Sequence, residues 1–279
     1  MKNAMQLKQL IRNLAKDYNI EAEVLLRCFM MERFLERVAL SDHKYNFILK
    51  GGVLIASMIG VDARTTRDID VAIKGYTLSK EQVSVIIEEI VQISAIDGVE
   101  FSYAGIEEIR EESNYPCFRV KIDASFDRIR QVLKVDISAG DFVTPAEIEY
   151  SYQLLFEDRA ITVLAYNLES VLAEKFETII TRGVTNTRMR DFYDIYALTA
   201  TCSFDEEIFS MALNRTASNR GAANQIRKST EVIALLQESP TMANLWKRYK
   251  ERYFYAAGLS WDTVMDSVRD LANCNISPQ

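Results

Sequence analysis

Two aspartates separated by one residue are the strongest chemical signal in the sequence. Asp68 and Asp70 stand in the stretch RTTRDIDVAI, directly before the apolar residues 71–73. Side chains at positions i and i+2 of an extended strand share one face, so this spacing predicts two neighbouring carboxylates. Such carboxylates repel each other and raise each other's pKa unless a cation lies between them. The pair therefore predicts a bound divalent metal, Mg²⁺ or Mn²⁺.

A glycine pair upstream of the aspartates predicts a phosphate-binding turn. Gly51 and Gly52 lack a Cβ, which lets the backbone turn tightly and lets a phosphate approach the peptide N–H groups. The apolar residues 53–59 then predict a short helix whose N-terminus faces that phosphate. Thr66 and Arg67 supply hydroxyl and guanidinium donors for an anionic substrate. A phosphate turn followed by a metal pair predicts a nucleoside triphosphate bound through Mg²⁺.

These residues carry a resemblance to a known family. The stretch KGGVLIASMIGVDARTTRDIDVAI, which begins at Lys50, resembles the first motif of the AbiEii nucleotidyltransferase toxins, a branch of the DNA polymerase β-like superfamily. That motif consists of Gly-Gly or Gly-Ser, a short helix and then Asp-x-Asp. The chain departs from it at Val53, where family members often carry a small hydroxyl residue. The resemblance implies metal-dependent nucleotidyl transfer, with Lys50, Gly51 and Gly52 at the nucleotide.

A third carboxylate is expected from a β-hairpin later in the chain. Residues 117–126 and 131–138 alternate between apolar and polar side chains, as the two strands of a hairpin do, with residues 127–130 as the loop. The resemblance implies that Asp136, in LKVDIS, is the third metal-binding acid and helps to activate the acceptor hydroxyl. Asp123, in VKIDAS on the partner strand, is the alternative.

The sequence after residue 165 has helical periodicity. Asn167 is a suitable N-cap for the helix LESVLAEKFETIITR, and Gly183 is a suitable C-terminal residue. Lys175 and Arg182 are seven residues apart and therefore lie on one face of that helix. We expect them to be directed at whatever element packs beside it.

The segment RMRDFYDIYAL follows, and it has two interpretations. From spacing alone, Arg190, Asp191 and Asp194 form surface ion pairs worth a few tenths of a kcal/mol each. The segment also resembles the later family motifs, a helical lysine followed by R-x-[KR]-D-x-x-D. That resemblance implies that Lys175 neutralises triphosphate charge. The nucleotide or acceptor pocket would then be shaped by Arg182, Arg190, Asp191 and Asp194.

The last third of the chain contains the aromatic and basic stretch WKRYKERYFYAAGLSW. At helical spacing these aromatic side chains favour a core position, with lysine and arginine on the solvent face. The alternative is that the aromatic rings stack on single-stranded bases.

The whole pattern predicts an α+β (mixed) chain with two domains. Residues 1–165 are expected to form the catalytic domain with two N-terminal helices packed on it, and residues 166–279 a helical domain that completes the nucleotide or acceptor pocket. The resemblance implies a polymerase β-like domain built on a twisted mixed or antiparallel sheet with flanking helices.

The amino-acid composition excludes several classes of function and site. The 279 residues are 48% hydrophobic and carry a net charge of −7, which argues against nonspecific coating of nucleic acid. The four cysteines form no C-x-x-C pair, so neither a zinc site nor a disulfide framework is indicated, and the single histidine excludes schemes that need two. No apolar run reaches the roughly 18 residues of a membrane span, and we expect a cytoplasmic protein.

The resemblance also implies a biological role and leaves competitors. It implies a toxin of an AbiE-like toxin–antitoxin or abortive phage infection system, with a cognate antitoxin encoded nearby and the tRNA 3′ end as first acceptor, or otherwise a protein. A dehalogenase-type phosphatase is disfavoured because its Asp-x-Asp follows a strand, and a metal-dependent glycosyltransferase because of the glycine pair and Asp136. A protein that binds GTP or another nucleotide without turnover remains as the alternative.

Overall fold

The computed structural model of the protein describes residues 4–75, 79–109, 116–139 and 142–274. Within these ranges the chain forms seven strands and eleven α-helices, which confirms the predicted α+β class. The strands are β1 Phe47–Lys50, β2 Ile69–Ile73, β3 Val99–Ile109, β4 Cys117–Phe126, β5 Ile129–Ser138, β6 Ile148–Gln153 and β7 Ala160–Ala165. The helices are α1 Ala4–Tyr18, α2 Ala22–Leu40, α3 Gly51–Ile59, α4 Lys80–Val91, α5 Leu168–Arg182, α6 Met189–Thr201, α7 Glu206–Asn219, α8 Ala223–Arg227, α9 Ser229–Glu238, α10 Pro240–Arg252 and α11 Trp261–Cys274.

The chain divides into two compact units. The first, called the sheet unit, comprises Met1–Gly140 and Ile148–Ala165, and it contains every strand together with α1 to α4. The second, called the helical unit, comprises Asp141–Glu147 and Tyr166–Gln279 and contains α5 to α11. None of the helices in the described ranges is long and apolar enough to span a bilayer.

A single mixed sheet organises the first unit. Its strand order is β3-β4-β5-β2-β1-β7-β6, with β2 parallel to β5, β1 parallel to β7 and the other neighbours antiparallel. Helix α2 packs on this sheet through aromatic side chains. The Phe29 ring lies 5.8 Å from that of Phe126 and 5.4 Å from that of Phe156, and Phe34 lies 6.0 Å from Phe101. The apolar face of α2 therefore packs on β3, on β4 and on the connection between β6 and β7.

Two boundaries differ from those predicted by the sequence pattern. Strand β5 begins at Ile129, so the hairpin loop is two residues shorter than the predicted 127–130. The reason is Asp127, whose φ of 54° lets a non-glycine residue enter the left-handed conformation that tight hairpin turns require. Helix α3 begins at Gly51, two residues before the predicted start at residue 53.

The first helix of the helical unit has the predicted ends. The Asn167 side chain accepts a hydrogen bond from the Ser170 backbone N–H at 2.9 Å, as an N-cap does. Gly183 follows α5 with a φ of 50°, a conformation that favours glycine. Both predictions are confirmed.

A buried charge cluster joins α2 to the β6–β7 hairpin. Glu32, only 2% exposed, accepts a hydrogen bond from the Leu155 backbone N–H at 2.8 Å. The fully buried Arg33 lies 3.1 Å from Glu157 and 3.3 Å from Glu36. Burial raises the pKa of Glu32 to about 8. At neutral pH we therefore expect Glu32 to be mostly protonated, and the other two carboxylates to balance Arg33.

This raised pKa predicts a pH-dependent stability. The unfolded chain loses the Glu32 proton near the ordinary pKa of 4.5 and the folded chain near 8. The stabilising contribution of this proton is complete below pH 4.5 and is lost as the pH rises through 8. Glu32→Gln keeps the acceptor for Leu155 but cannot ionise, so its free energy of unfolding should fall less between pH 5.5 and 8.5 than that of the wild type.

Urea unfolding at several pH values measures this difference. Glu100→Gln, at an exposed position of β3, is the matched control and should follow the wild-type profile. If Glu32→Gln also runs parallel to the wild type across this pH range, Glu32 is ionised in the fold and the pKa assignment is wrong.

Candidate active site

Strand register places four charged residues in one row across the sheet. Lys50 on β1 pairs with Asp70 on β2, Asp70 pairs with Asp136 on β5, and Asp136 pairs with Arg119 on β4. Directly paired residues of neighbouring strands project from the same face. Two carboxylates therefore lie side by side, with a cationic side chain on each flank.

Asp68 lies just outside this row. Strand β2 begins at Ile69, so Asp68 occupies a bend before the strand. The i, i+2 spacing had instead predicted that Asp68 lies in the strand. The reason is that β1 ends at Lys50, the partner of Asp70, and the chain then turns directly into α3. No residue of β1 remains to pair with Asp68, which is half-buried.

The Asp70 carboxylate sits against the start of α3. Its Oδ2 accepts a hydrogen bond from the Gly52 backbone N–H at 3.2 Å. Burial raises the pKa of Asp70, and the negative charges of Asp136 and Asp68 raise it further, whereas the Gly52 N–H and Lys50 lower it. This is the electrostatic strain that the sequence predicted for clustered acids, and a cation bound beside them would relieve it.

The glycine pair allows this close approach. Gly51 has a φ of 66°, and a Cβ added there would lie 2.2 Å from the Asp70 Oδ2. A Cβ on Gly52 would lie 2.4 Å from the Oγ1 of Thr66, which is buried beside it, whereas Arg67 is exposed. A side chain at position 51 would therefore collide with the Asp70 carboxylate, and one at position 52 would collide with Thr66.

Arg119 is a site residue that sequence reasoning missed. Its Nε donates to Asp136 Oδ1 at 2.8 Å and its Nη2 to Asp136 Oδ2 at 2.7 Å. The hydrogen bonds that Arg119 donates to Asp136 raise the pKa of the Arg119 guanidinium, which is therefore charged. The alternative third acid, Asp123, is exposed and pairs with Val132, four residues from Asp136 along β5.

The donor chemistry fits a divalent metal, with one condition. Carboxylate oxygens such as those of Asp68, Asp70 and Asp136 are the ligands that Mg²⁺ and Mn²⁺ prefer. Throughout the described ranges, however, no three His, Cys, Asp or Glu side chains are grouped closely enough to hold a metal ion. Arg119 donates to both oxygens of Asp136, so this acid can hold a metal through the remaining lone pairs of those oxygens or after the ion pair opens.

Three of the predicted residues of the helical unit form a buried cluster within that unit. Lys175 on α5 lies 2.9 Å from Asp191 and 2.7 Å from Asp194 on α6, and Arg188 lies 3.1 Å from Asp191. The side chains of Asp191 and Asp194 are only 6% and 0% exposed. The aspartates of RMRDFYD thus clamp the lysine of the preceding helix, which goes beyond the weak surface pairs considered from spacing alone.

The remaining two predicted residues, Arg182 and Arg190, lie on the same two helices as this cluster. Arg182 is the last residue of α5 and is half-buried. Arg190 donates from Nη2 to the Tyr253 hydroxyl at 3.3 Å. The predicted site residues therefore fall into two groups. Those of the sheet unit are Lys50, Gly51, Gly52, Thr66, Arg67, Asp68, Asp70 and Asp136, and those of the helical unit are Lys175, Arg182, Arg190, Asp191 and Asp194.

The buried clamp predicts a large effect of removing Lys175. Lys175→Met leaves two buried carboxylates without their shared ammonium, which typically costs about 3–5 kcal/mol. We expect a clear drop in the free energy of unfolding, measured by urea denaturation. Adding Asp194→Asn removes one of the orphaned charges and should recover part of the loss. A Lys175→Met protein as stable as the wild type would contradict the clamp.

Comparisons with known proteins agree with this architecture. The family model described as nucleotidyl transferase AbiEii toxin, type IV toxin–antitoxin system, matches residues 33–267. The nucleotidyltransferase toxin MenT4 of Mycobacterium tuberculosis has a similar structure, with a TM-score of 0.55 and 16% identity over 96% of this chain and 99% of that one. JHP933 of Helicobacter pylori gives a TM-score of 0.50 and 14% identity over 91% of this chain and 94% of that one.

The two kinds of comparison carry different weight. At 14–16% identity the structural likeness shows the fold alone. No curated protein sequence matches the chain. The family match covers most of the chain and includes the glycine pair, the three aspartates and the lysine clamp. The chain therefore belongs to the AbiEii family of nucleotidyltransferase toxins.

Proposed function

We propose that this nucleotidyltransferase uses Mg²⁺ or Mn²⁺ to move a nucleoside monophosphate from a nucleoside triphosphate to an acceptor hydroxyl, with pyrophosphate as the leaving group and release of the hydroxyl proton. One observation supports this above the others. Asp70 and Asp136 lie side by side on paired strands. Asp70 is two residues from Asp68 along the chain, and it accepts a hydrogen bond from Gly52 at the N-terminus of α3. Acids and a helix N-terminus brought together in this way suit a metal-bound triphosphate.

The residues of the sheet unit have distinct roles in this proposal. Asp68, Asp70 and Asp136 would hold the metal. A divalent cation supplies charge for the triphosphate and lowers the pKa of an attacking hydroxyl. The Gly52 N–H fixes the Asp70 carboxylate, and Lys50 adds positive charge at the end of the row. Positioning and electrostatics then carry the rate, because in-line displacement at phosphorus needs little covalent help.

The remaining sheet-unit residues and the helical unit serve the nucleotide. The positive N-terminal end of α3 at Gly51 favours an anionic phosphate. Thr66 and Arg67 add donors. In the helical unit we assign Lys175 to the triphosphate charge, oriented by the two aspartates that hold its ammonium. Arg182, Arg190, Asp191 and Asp194 would shape the nucleotide or acceptor pocket.

The biological role follows from the family. A type IV toxin–antitoxin family implies an antitoxin partner, and we propose that it is encoded nearby and that transfer arrests growth, as in abortive phage infection. We propose the tRNA 3′ end as the first acceptor, a protein as the second, and the cytoplasm as the place of action. One observation favours nucleotide binding without turnover: Arg119 already occupies both oxygens of Asp136.

Transfer can be tested with labelled substrates. The full-length protein is incubated with each α-labelled nucleoside triphosphate and total RNA, first with Mg²⁺ and then with chelator. We expect label in RNA that depends on the metal and falls to background in Asp70→Asn, because a metal ligand is lost. Asp158→Asn, an exposed acid of the same unit, should keep full transfer.

Each other outcome has a distinct meaning. Label on the protein indicates a protein acceptor and rejects tRNA as the first acceptor. Nucleotide that is retained without any product supports the alternative of binding without turnover. Full transfer activity in the Asp70→Asn variant would contradict the proposed metal site.

A further inference from the structure

The aromatic side chains near the C-terminus divide into two groups. Trp246, Tyr249 and Trp261 are 2%, 9% and 9% exposed, so they belong to the core as the periodicity favoured. Tyr253 and Tyr255 are half-buried, and Phe254 between them is 43% exposed. Part of the aromatic stretch therefore lies at the surface of the helical unit.

The two surface tyrosines form a fixed platform. Their rings stack with centroids 5.4 Å apart and an interplanar angle of 23°. Tyr253 also packs against Tyr249, and Tyr255 against Tyr193, each with centroids 4.7 Å apart. Both of these supporting rings are buried. The surface tyrosines are held in place before any ligand arrives, which reduces the entropy lost on binding.

Two arginines contact the Tyr253 ring, and the helix that precedes it is basic in an otherwise acidic protein. The last six residues of α10, KRYKER, contain two lysines, two arginines and one glutamate, whereas the whole chain has a net charge of −7. The Arg252 guanidinium lies 5.5 Å from the Tyr253 ring centroid, and that of Arg190 lies 5.8 Å from the same centroid. Arg252 is exposed.

This combination matches one class of ligand. Stacking tyrosines accept the flat faces of unpaired bases, and guanidinium groups beside them contact phosphates and bases. The bases of a duplex are already stacked on each other and cannot use such rings. Contacts between arginine and tyrosine also stabilise folded proteins, but that role alone needs neither a stacked pair at the surface nor the excess of positive charge.

We propose that Tyr253 and Tyr255, with Arg190 and Arg252, form a stacking subsite for a single-stranded polynucleotide. The inference rests on the proposed function, because it gives the acceptor a chemical class and a binding surface. The platform adjoins the residues assigned to the nucleotide or acceptor pocket, since Arg190 contacts Tyr253 directly. An unpaired strand end bound there is held by its bases and its backbone together.

Binding can be measured without turnover. Full-length protein is titrated in chelator into three fluorescent probes: a 12-nucleotide single-stranded RNA, a single-stranded DNA of the same length and a 12-base-pair RNA duplex. We expect the single strands to bind more tightly than the duplex. Tyr253→Leu and Tyr255→Leu should each weaken single-strand binding about tenfold, as expected for loss of one stacked base. Tyr253→Phe and Tyr255→Phe keep the ring and should keep the affinity.

Two controls separate the subsite from folding and from general charge. Tyr45→Leu removes another surface tyrosine, 55% exposed and with the Lys44 ammonium 4.8 Å from its ring centroid, and should have no effect. Arg252→Glu changes an exposed residue, so folding should be unaffected, and it should weaken binding and reduce the salt dependence by about one ion. Arg227→Glu, an exposed arginine on α8 of the same unit, should have a much smaller effect.

The results also separate this subsite from the proposed function. Single-strand binding that survives in Asp70→Asn but is lost in the leucine variants supports the subsite whether or not transfer occurs. The subsite is rejected if the leucine variants and Arg252→Glu bind as the wild type does, if the duplex binds best, or if no probe binds. A preference between the RNA and DNA strands identifies which polynucleotide the surface takes.

Discussion

The parallel pairing of β2 with β5 is the constraint on which the candidate site depends. It sets Asp70 opposite Asp136, two carboxylates that neither strand alone could bring together. A slip of one residue in this register would turn one of the two acids to the other face of the sheet. The apolar residues beside the two acids, Ile69, Val71, Val135 and Ile137, resist such a slip because they are buried on the opposite face.

The flanking cations explain how the fold tolerates this arrangement. Lys50 and Arg119 stand at the two ends of the row, and Arg119 binds Asp136 through two hydrogen bonds. Close approach of Asp70 to the α3 N-terminus adds a further favourable contact, which two glycines make possible. The same features that stabilise the acids in this fold also compete for Asp136, because Arg119 and a metal would draw on the same two carboxylate oxygens.

The sequence was sufficient for elements and for short-range chemistry, but not for register. The glycine turn and the caps at Asn167 and Gly183 are local patterns, and local spacing determines them, whereas the strand position predicted for Asp68 failed because β1 ends at the partner of Asp70. Arg119 was missed because its role depends on the exact hairpin loop. With the predicted loop at 127–130, Lys121 would have stood opposite Asp136, whereas the shorter turn brings Arg119 there. The burial of the Lys175 clamp could not be predicted from the sequence either, because it depends on how α6 packs against the other helices.

Helix α6 gives the helical unit a double role. Asp191 and Asp194 bind Lys175, while Arg190 and Tyr193, within the same two turns, contact the tyrosine platform. Helix α6 therefore holds in place both Lys175 and the surface tyrosines Tyr253 and Tyr255. This physical link connects the residues assigned to the nucleotide with those assigned to a polynucleotide.

The most direct test of the central claim is Mn²⁺ binding, measured from the free-ion electron paramagnetic resonance signal during titration of the full-length protein. If Asp70 and Asp136 share a cation site, Asp70→Asn and Asp136→Asn should each weaken Mn²⁺ binding by about tenfold or more, whereas Asp123→Asn on the neighbouring strand should bind as the wild type does. Unchanged binding in Asp136→Asn, together with its loss in Asp123→Asn, would contradict the account.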